Sequence, residues 1–209
     1  DLRSQIERIR QLVDAFGIPR LEMEGYEADD ILGSAARQAA EQGIYVKIIT
    51  GDRDLLQLVN ERIVVNLPGK TLADSKDYTS SDVLDYLGVR PTQVVDLKAL
   101  IGDKSDNIPG VRGIGEKTAI ELIGEFGSLE DLLKNVEKVK GEARKKALKE
   151  NERIAILSKE LALLDMNVPM RIDFNEMKLK SPDAEKLFEL FKELEFKSLL
   201  KAVTPKGRL

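Results

Sequence analysis

The run Ile44-Tyr45-Val46-Lys47-Ile48-Ile49-Thr50, bounded by Gly43 and Gly51, leaves the chain few folds to choose from. It is apolar and β-branched and lacks polar alternation, so it reads as a strand covered on both faces, the habit of a parallel sheet. Such a strand needs helices around it, and its flanks provide them. Residues 2–16 carry Ile6, Ile9, Leu12, Val13 and Phe16 at helical spacing, with Gly17 as the stop. Residues 27–42 place Ile31, Leu32, Ala35 and Ala39 on one face, and Gly43 ends them. Further on, 52–59 predict a short helix, 62–67 a second strand, and Thr79–Asp82 the cap of a helix that Gly88 closes. Two weaker segments, 20–24 and 171–174, are expected to be extended. This alternation predicts an α/β region over 1–90. From Pro91 to about 165 the chain reads as short helices punctuated by Gly and Pro, and 182–201 as one more helix, so 91–209 is expected to be all-helical.

The chemistry available is narrowed by what is missing. The 209 residues contain no histidine and no cysteine. That removes disulfides, thiolate metal sites and the commonest general base, and it fits a cytosolic setting. Catalysis would rest on carboxylates, lysine, hydroxyls, or a metal held by oxygen. No stretch has the ~18 apolar residues of a membrane span, and no signal-peptide pattern opens the chain.

Three acidic motifs stand out. The first, Glu27-x-Asp29-Asp30, opens a helix, where helix capping is the ordinary explanation. Glu27 and Asp30, three apart, share a face, and Asp29 is expected to point elsewhere. The second, Asp52-Arg53-Asp54, follows directly on the run 44–50, at the carboxyl end of a strand, where α/β sheets bind ligands. A strand-to-helix turn with an aspartate cap competes with that reading. The third, Asp103-Lys104-Ser105-Asp106, precedes Ile108-Pro109-Gly110 and would also suit a plain turn. Together they make seven carboxylates, a donor set for a hard cation such as Mg²⁺ or Mn²⁺. Two such ions can activate a water and stabilise the leaving oxygen of a phosphodiester. Without metal the carboxylates should raise one another's pKa. Replacing Asp52 by alanine is therefore expected to raise metal-free stability slightly.

The stretch 107–123, NIPGVRGIGEKTAIELI, is the most specific. Gly110, Gly113 and Gly115 surround Val111 and Ile114 just before a helix that begins near Glu116. Glycines permit a tight turn and close approach, and a helix N-terminus offers N–H groups to an anion. A helix-hairpin-helix holds a DNA phosphate this way without reading bases, and Lys117 could add charge. A dinucleotide fingerprint fails because the third glycine and the preceding strand are absent, and no P-loop pattern occurs. Net charge is −4, yet with the seven acids set aside the 33 basic residues outnumber the acids that remain. Residues 138–149 hold six basic residues, among them Arg144, Lys145 and Lys146, against one acid. Local charge decides what a surface attracts, although a solvated helix face would look the same.

GYEADDILG, IITGDRDLLQLV, KALIGDKSDNIPGVRGIGEKTA and LEFKSLLKAV, in this order over about 1–202, resemble the 5′-nuclease domain of bacterial DNA polymerase I, within the flap-endonuclease superfamily. The resemblance implies a parallel-sheet, PIN-like α/β core followed by a helical DNA-binding region with the helix-hairpin-helix at 107–123. It implies cleavage of branched or 5′-flap duplex DNA by two divalent cations, Mg²⁺ or Mn²⁺. Carried over, Glu27 and Asp29 serve one ion with Asp30 in support; Asp52, Asp54 and Asp106 serve the other, with Asp103 farther out. Gly110–Gly115 and Lys117 would grip the duplex, with K⁺ on the hairpin carbonyls, and Arg144–Lys146 would extend the contact. The implied protein is monomeric, bacterial, cytoplasmic and nucleoid-associated, linked to or working with a polymerase region. The pattern departs from the family at the N-terminus, where a first metal-binding strand and a basic arch are not represented, so the chain alone is expected to be weakly active or inactive. A non-catalytic, structure-specific DNA-binding module is the alternative, and a small-substrate phosphatase a more distant one.

Overall fold

The computed structural model describes residues 2–203; the outermost positions of the two expected regions, Asp1 and 204–209, lie outside the described residues. The chain forms two compact units, one of residues 26–168 and one that joins 1–25 to 169–209.

The larger unit begins with α2 (Ala28–Glu41), following α1 of the other unit, and then builds β1 (Val46–Ile49), β2 (Ile63–Leu67) and β3 (Lys76–Tyr78). β1 and β2 pair in parallel, Val46 opposite Ile63, as the apolar runs predict. β3 returns antiparallel, Val65 opposite Tyr78, and its polar Lys-Asp-Tyr gives no sequence signal for a strand. The expectation for 44–50 is met only in part. Ile48 is buried, but Ile49 is 73% exposed, because burial alternates along β1 and the face that carries Lys47 and Ile49 is left uncovered. Segment 20–24 is not a strand, which corrects that expectation, and 171–174 joins no sheet. Neither has the β-branched run that would hold it in a ladder.

Helices α3 (Ser80–Leu87), α4 (Val94–Ile101), α5 (Glu116–Phe126), α6 (Leu129–Lys134), α7 (Glu142–Glu150) and α8 (Glu152–Ala162) complete this unit. α3 starts on the expected cap: Thr79 and Asp82 form a capping box, and Gly88 closes the helix with φ +73°. One hydrophobic cluster runs from Ile48 and Val65 in the sheet through Leu55, Leu56 and Leu100 to Ile123 and Leu148. The change from α/β to helix near residue 90 is thus a change of secondary structure within one core. Each fully buried Leu or Ile contributes ~1.5–3 kcal/mol.

The smaller unit packs α1 (Leu2–Ala15) on α9 (Ala184–Glu193) and α10 (Lys197–Val203) through Ala15, Leu187 and Phe191. The helix expected over 182–201 is broken, because α9 ends in a Schellman motif. The Phe196 N–H donates to the Phe191 carbonyl at 2.8 Å and that of Glu195 to Lys192 at 3.2 Å. The rings of Phe191 and Phe196 meet at 6.1 Å. Glu195 holds φ +57°, where glycine is preferred. Glu195→Gly is therefore expected to raise stability by about 0.5 kcal/mol, a modest upward shift of the urea midpoint, since relief of the left-handed strain is partly offset by glycine's unfolded-state entropy. An unchanged or lower midpoint would show that the motif stores no strain.

Candidate functional site

All three acidic motifs belong to the larger unit. Asp52 leaves β1 and caps the 3-10 turn Arg53–Leu58, its Oδ1 accepting from the Asp54 N–H at 2.8 Å. Asp54 then points to Lys98 on α4 and is ion-paired with it. The loop after α4 is pinched shut by Asp103 and Ile108, which exchange backbone bonds of 2.9 and 2.7 Å. Inside that pinch the Ser105 N–H and hydroxyl both donate to Asp103 Oδ1. Asp103 Oδ2 meets Lys98 Nζ at 2.8 Å and Asp106 Oδ2 meets it at 3.5 Å. Asp54, Asp103 and Asp106 thus bring one oxygen each to within 4.8 Å of one another, with Asp106 open to solvent. An all-oxygen group of this size suits a hard cation such as Mg²⁺ or Mn²⁺.

Glu27 is the N-cap residue of α2, yet its side chain makes no capping bond. Capping therefore does not account for this motif. Asp29 lies near enough to Asp52 and Asp54 to feel both charges, while Asp30 is engaged elsewhere. Burial raises the Asp29 pKa, and the charges of Asp52, Asp54, Glu27 and Asp30 raise it further. Asp30 is the one committed elsewhere: its Oδ1 accepts from the Asp165 N–H at 2.9 Å and ties down the segment after α8. Asp54 is likewise raised, by burial first, against the lowering effect of its bond to Lys98. Asp103 is strongly lowered, by Lys98 first and then by Ser105.

These shifts give opposite pH dependences. A carboxyl raised in the folded state adds stability that is complete below its unfolded pKa and is lost as pH rises through the folded value. Asp29→Asn is therefore expected to raise the melting temperature of metal-free protein at neutral pH and to leave it unchanged below pH 3.8. An equal gain at both pH values would trace the effect to packing rather than charge. The cap that Asp52 forms revises what is expected of its removal. Because its carboxylate caps the 53–58 turn, Asp52→Ala should cost about 1 kcal/mol instead of stabilising, whereas Asp52→Asn keeps the cap. Thermal melts of the two variants without metal check this; a stabilised alanine variant would mean that repulsion outweighs the cap.

Lys98 is the functional-site residue that the sequence did not disclose. It lies in the apolar helix 94–101, is only 9% exposed, and reaches across 44 residues of sequence to Asp54. Burial alone would lower its pKa, but its bonds to Asp103 and Asp54 override that and raise it. A lysine and an aspartate, Asp96, both inside an otherwise apolar helix were the available signal. Asp96 is also buried, with Lys159 Nζ 2.6 Å from its Oδ1 in an ion pair not aligned as a hydrogen bond. Lys159 also bonds both oxygens of Glu130 at 2.8 Å, which links α4, α8 and α6.

The hairpin is built onto the acidic loop. Gly110, at φ +64°, lies so close to Gly102 that an added Cβ would fall 2.3 Å from the Gly102 nitrogen. Its N–H donates to Ser158 Oγ on α8 at 3.1 Å, and the Val111 N–H donates to the Leu100 carbonyl at 2.8 Å. Val111 and Ile114, 3% and 5% exposed, are anchored in the core, so they offer a ligand backbone only. Between them Gly113 is exposed, and Gly115 starts α5 with no side-chain cap. Lys117 is exposed in that first turn. The expected basic face is more balanced than its composition. Arg144 pairs with Glu121 at 3.1 Å, Lys145 with Glu142 at 3.3 Å, and Lys146 with Glu150 at 3.7 Å. Exposed pairs of this kind are worth ~0–1 kcal/mol and exchange readily for phosphate.

The sequence matches the 5′-3′ exonuclease, N-terminal resolvase-like domain over residues 1–88 and the 5′-3′ exonuclease, C-terminal SAM fold over 89–185. It is 44% identical over 200 residues to DNA polymerase I of Bacillus caldotenax and 45% identical to the thermostable DNA polymerase I of Thermus filiformis. Each alignment covers 96% of this chain and 23% of the relative, so the chain spans about a quarter of the curated relatives it matches. Among solved structures, T5 5′-exonuclease with bound divalent zinc ions superposes with a TM-score of 0.63 at 21% identity, over 88% of this chain and 63% of that one. The catalytic core of Rad2 in complex with DNA gives 0.65 at 21%, over 98% and 70%. These two likenesses establish the fold. No described helix is long and apolar enough to cross a membrane.

Proposed function

The chain belongs to the 5′–3′ exonuclease family, matched in order by its N-terminal and C-terminal domains, and from that premise we propose that it is the structure-specific 5′-nuclease part of a DNA polymerase I-like protein. Its substrate is duplex DNA with a 5′ end or flap. The observation that carries this reading is physical continuity: the loop that holds Asp103 and Asp106 beside Asp54 is packed, through Gly102 against Gly110, on the glycine hairpin. A phosphate held by the hairpin is thereby fixed relative to the carboxylates.

Glu27 and Asp29 would hold one divalent cation, Mg²⁺ or Mn²⁺, and Asp52, Asp54 and Asp106 a second. Asp30, bonded to the Asp165 N–H, and Asp103, bonded to Ser105, act as supports that keep the ligand loops in place. Such ions, when bound, supply an activated water and a counter-charge for the leaving oxygen. The chain's own contribution is orientation. N–H groups at Gly113, Gly115 and the first turn of α5, together with Lys117, receive a backbone phosphate. Gly110, Val111 and Ile114 hold that turn rigid from below. Arg144, Lys145 and Lys146 exchange their acidic partners for the continuing duplex. Binding is then largely electrostatic and falls steeply with salt. K⁺ on the hairpin carbonyls, a monomeric state, a cytoplasmic location near the nucleoid and a linked or cooperating polymerase region belong to the same reading.

One observation favours the non-catalytic alternative: Lys98 already lies among the three carboxylates, as a structural counter-ion would. Incubation with a labelled 5′-flap duplex and Mn²⁺ separates the two. Products released at the flap junction support the nuclease. Salt-sensitive binding with no cleavage at saturating Mn²⁺, even when the family's N-terminal strand and arch are supplied, would establish the binding module. Hydrolysis of a small phosphodiester without flap cleavage would point to a phosphatase.

A further inference from the structure

The Lys98 ammonium contacts Asp54 Oδ2, Asp103 Oδ2 and Asp106 Oδ2, and the group these three residues form is the one that could receive a cation. Its stem is packed in α4 and its side chain is 11% exposed, so the head cannot simply leave for water. The three partners are not equivalent. Asp103 has its other oxygen filled by the Ser105 N–H and hydroxyl, which fixes that carboxylate to its own loop. Asp106 is half-exposed and meets the ammonium only at 3.5 Å. The Asp54 carboxylate takes no other side-chain donor among the described residues, its N–H being satisfied by Asp52 and its carbonyl accepting from the Gln57 amide. One ammonium among three carboxylates leaves two negative charges uncompensated, the charge of one divalent cation.

We propose that Lys98 is a built-in counter-ion that holds the Asp54–Asp103–Asp106 group together when no metal is bound and competes with the divalent cation for it, thereby setting the metal affinity of the site. This rests on reading the group as a metal centre. A dication entering the group needs lone pairs that the ammonium now engages, and two cations this close together repel each other. On metal entry Asp54 and Asp106 pass to the cation, and Lys98 retracts onto Asp103, whose carboxylate Ser105 keeps in position. Lys98 is thus a positioning residue. It prevents the carboxylates from repelling one another apart, and the same contacts raise the metal concentration needed to fill the site.

The test is calorimetric titration of DNA-free protein with Mn²⁺, together with thermal melts with and without the metal, on wild type, Lys98→Met, Lys98→Arg and Asp54→Asn. Lys98→Met keeps the length of the stem and removes the charge. It should melt lower than wild type without metal, bind Mn²⁺ at least about tenfold more tightly, on the scale by which groups supporting metal ligands tune affinity, and recover its melting temperature when Mn²⁺ is added. Lys98→Arg should restore the metal-free melting temperature and the weaker Mn²⁺ binding. Should Lys98→Met not remain soluble without metal, Lys98→Gln carries the same comparison. If Lys98→Met binds Mn²⁺ no more tightly than wild type while Asp54→Asn loses binding, the metal centre stands and the counter-ion inference is overturned. If Asp54→Asn binds Mn²⁺ as wild type does, the metal-centre reading falls and the inference with it.

Discussion

In a protein that also carries the family's N-terminal strand and arch, Asp54→Asn should reduce flap cleavage by at least about 10³-fold, or ~4 kcal/mol of transition-state stabilisation, while leaving DNA affinity within a few-fold of wild type. The reason lies in where Asp54 sits. It is the least exposed member of the carboxylate group, and a single element, the 3-10 turn after β1, places both it and Asp52 at the carboxyl end of that strand. Asparagine keeps the size and one acceptor oxygen but removes the charge that a hard cation requires. The hairpin lies in another segment, 110–115, and none of its backbone bonds involves Asp54. Metal-free stability is the informative control, because two effects oppose each other. Burial makes the Asp54 charge costly, and its bond to Lys98 recovers part of that cost. The substitution relieves the first and leaves Lys98 with Asp103 and Asp106, so a melting temperature near that of wild type is expected. Cleavage assays on the 5′-flap duplex, gel shifts in the absence of divalent metal and thermal melts check the three parts. Loss of DNA binding in parallel with cleavage would show that Asp54 is structural, and normal cleavage would move the chemistry to other residues.

What the sequence discloses here depends on how local the cause is. The capping box at Thr79 and Asp82 and the stop at Gly88 are set within ten residues, and both are readable as written. The parallel pairing of β1 and β2 follows from two apolar runs and the helical turn between them. Asp52, Asp54, Asp103 and Asp106 are conspicuous because Asp52 and Asp103 each follow a glycine directly and a second acid comes two or three positions later. Their mutual placement is not local, and neither is Lys98. A lysine in a helix is ordinarily a surface residue, and only packing that brings residue 54 to residue 98 turns it inward. The roles inside each motif are equally hidden. Nothing in Glu27-x-Asp29-Asp30 says that the third acid is spent on the Asp165 N–H while the second faces Asp52 and Asp54. The exposure of Ile49 depends on which face of the sheet other elements cover, which no window of sequence around β1 contains. The end of α9 escaped for the opposite reason. A Schellman motif is local, but with glutamate at the left-handed position it carries no glycine to announce it.

Gly110→Ala carries the largest stability effect expected in the molecule, and its contrast with Gly113→Ala separates the two jobs of the hairpin. At Gly110 an added Cβ would lie 2.3 Å from the Gly102 nitrogen, 2.6 Å from the Ile101 carbonyl carbon and 2.7 Å from the Gly102 Cα, all of them backbone atoms. No rotamer change can relieve this, and φ is +64° besides. The two backbones must separate, which breaks the Val111–Leu100 bond and loosens the pinch that holds Asp103. Overpacking costs ~1–3 kcal/mol and the left-handed strain ~1–2 kcal/mol, so a loss of about 2–5 kcal/mol is expected. That is a large fraction of the stability of an ordinary domain, and the disturbed loop should lose both metal and DNA binding. At Gly113 the backbone is also left-handed, with φ +91°, but an added Cβ meets nothing nearer than the Ala147 Cβ at 4.0 Å. Gly113→Ala should therefore cost only the backbone strain and keep the carboxylate group intact. It should still weaken DNA binding, because a methyl group now stands where a phosphate approaches. Denaturant unfolding ranks the two variants, Mn²⁺ titration reports on the carboxylates, and gel shifts report on the hairpin. If Gly113→Ala loses Mn²⁺ binding as completely as Gly110→Ala, the hairpin tip and the acidic loop are one mechanical element, and the division between gripping DNA and holding metal fails.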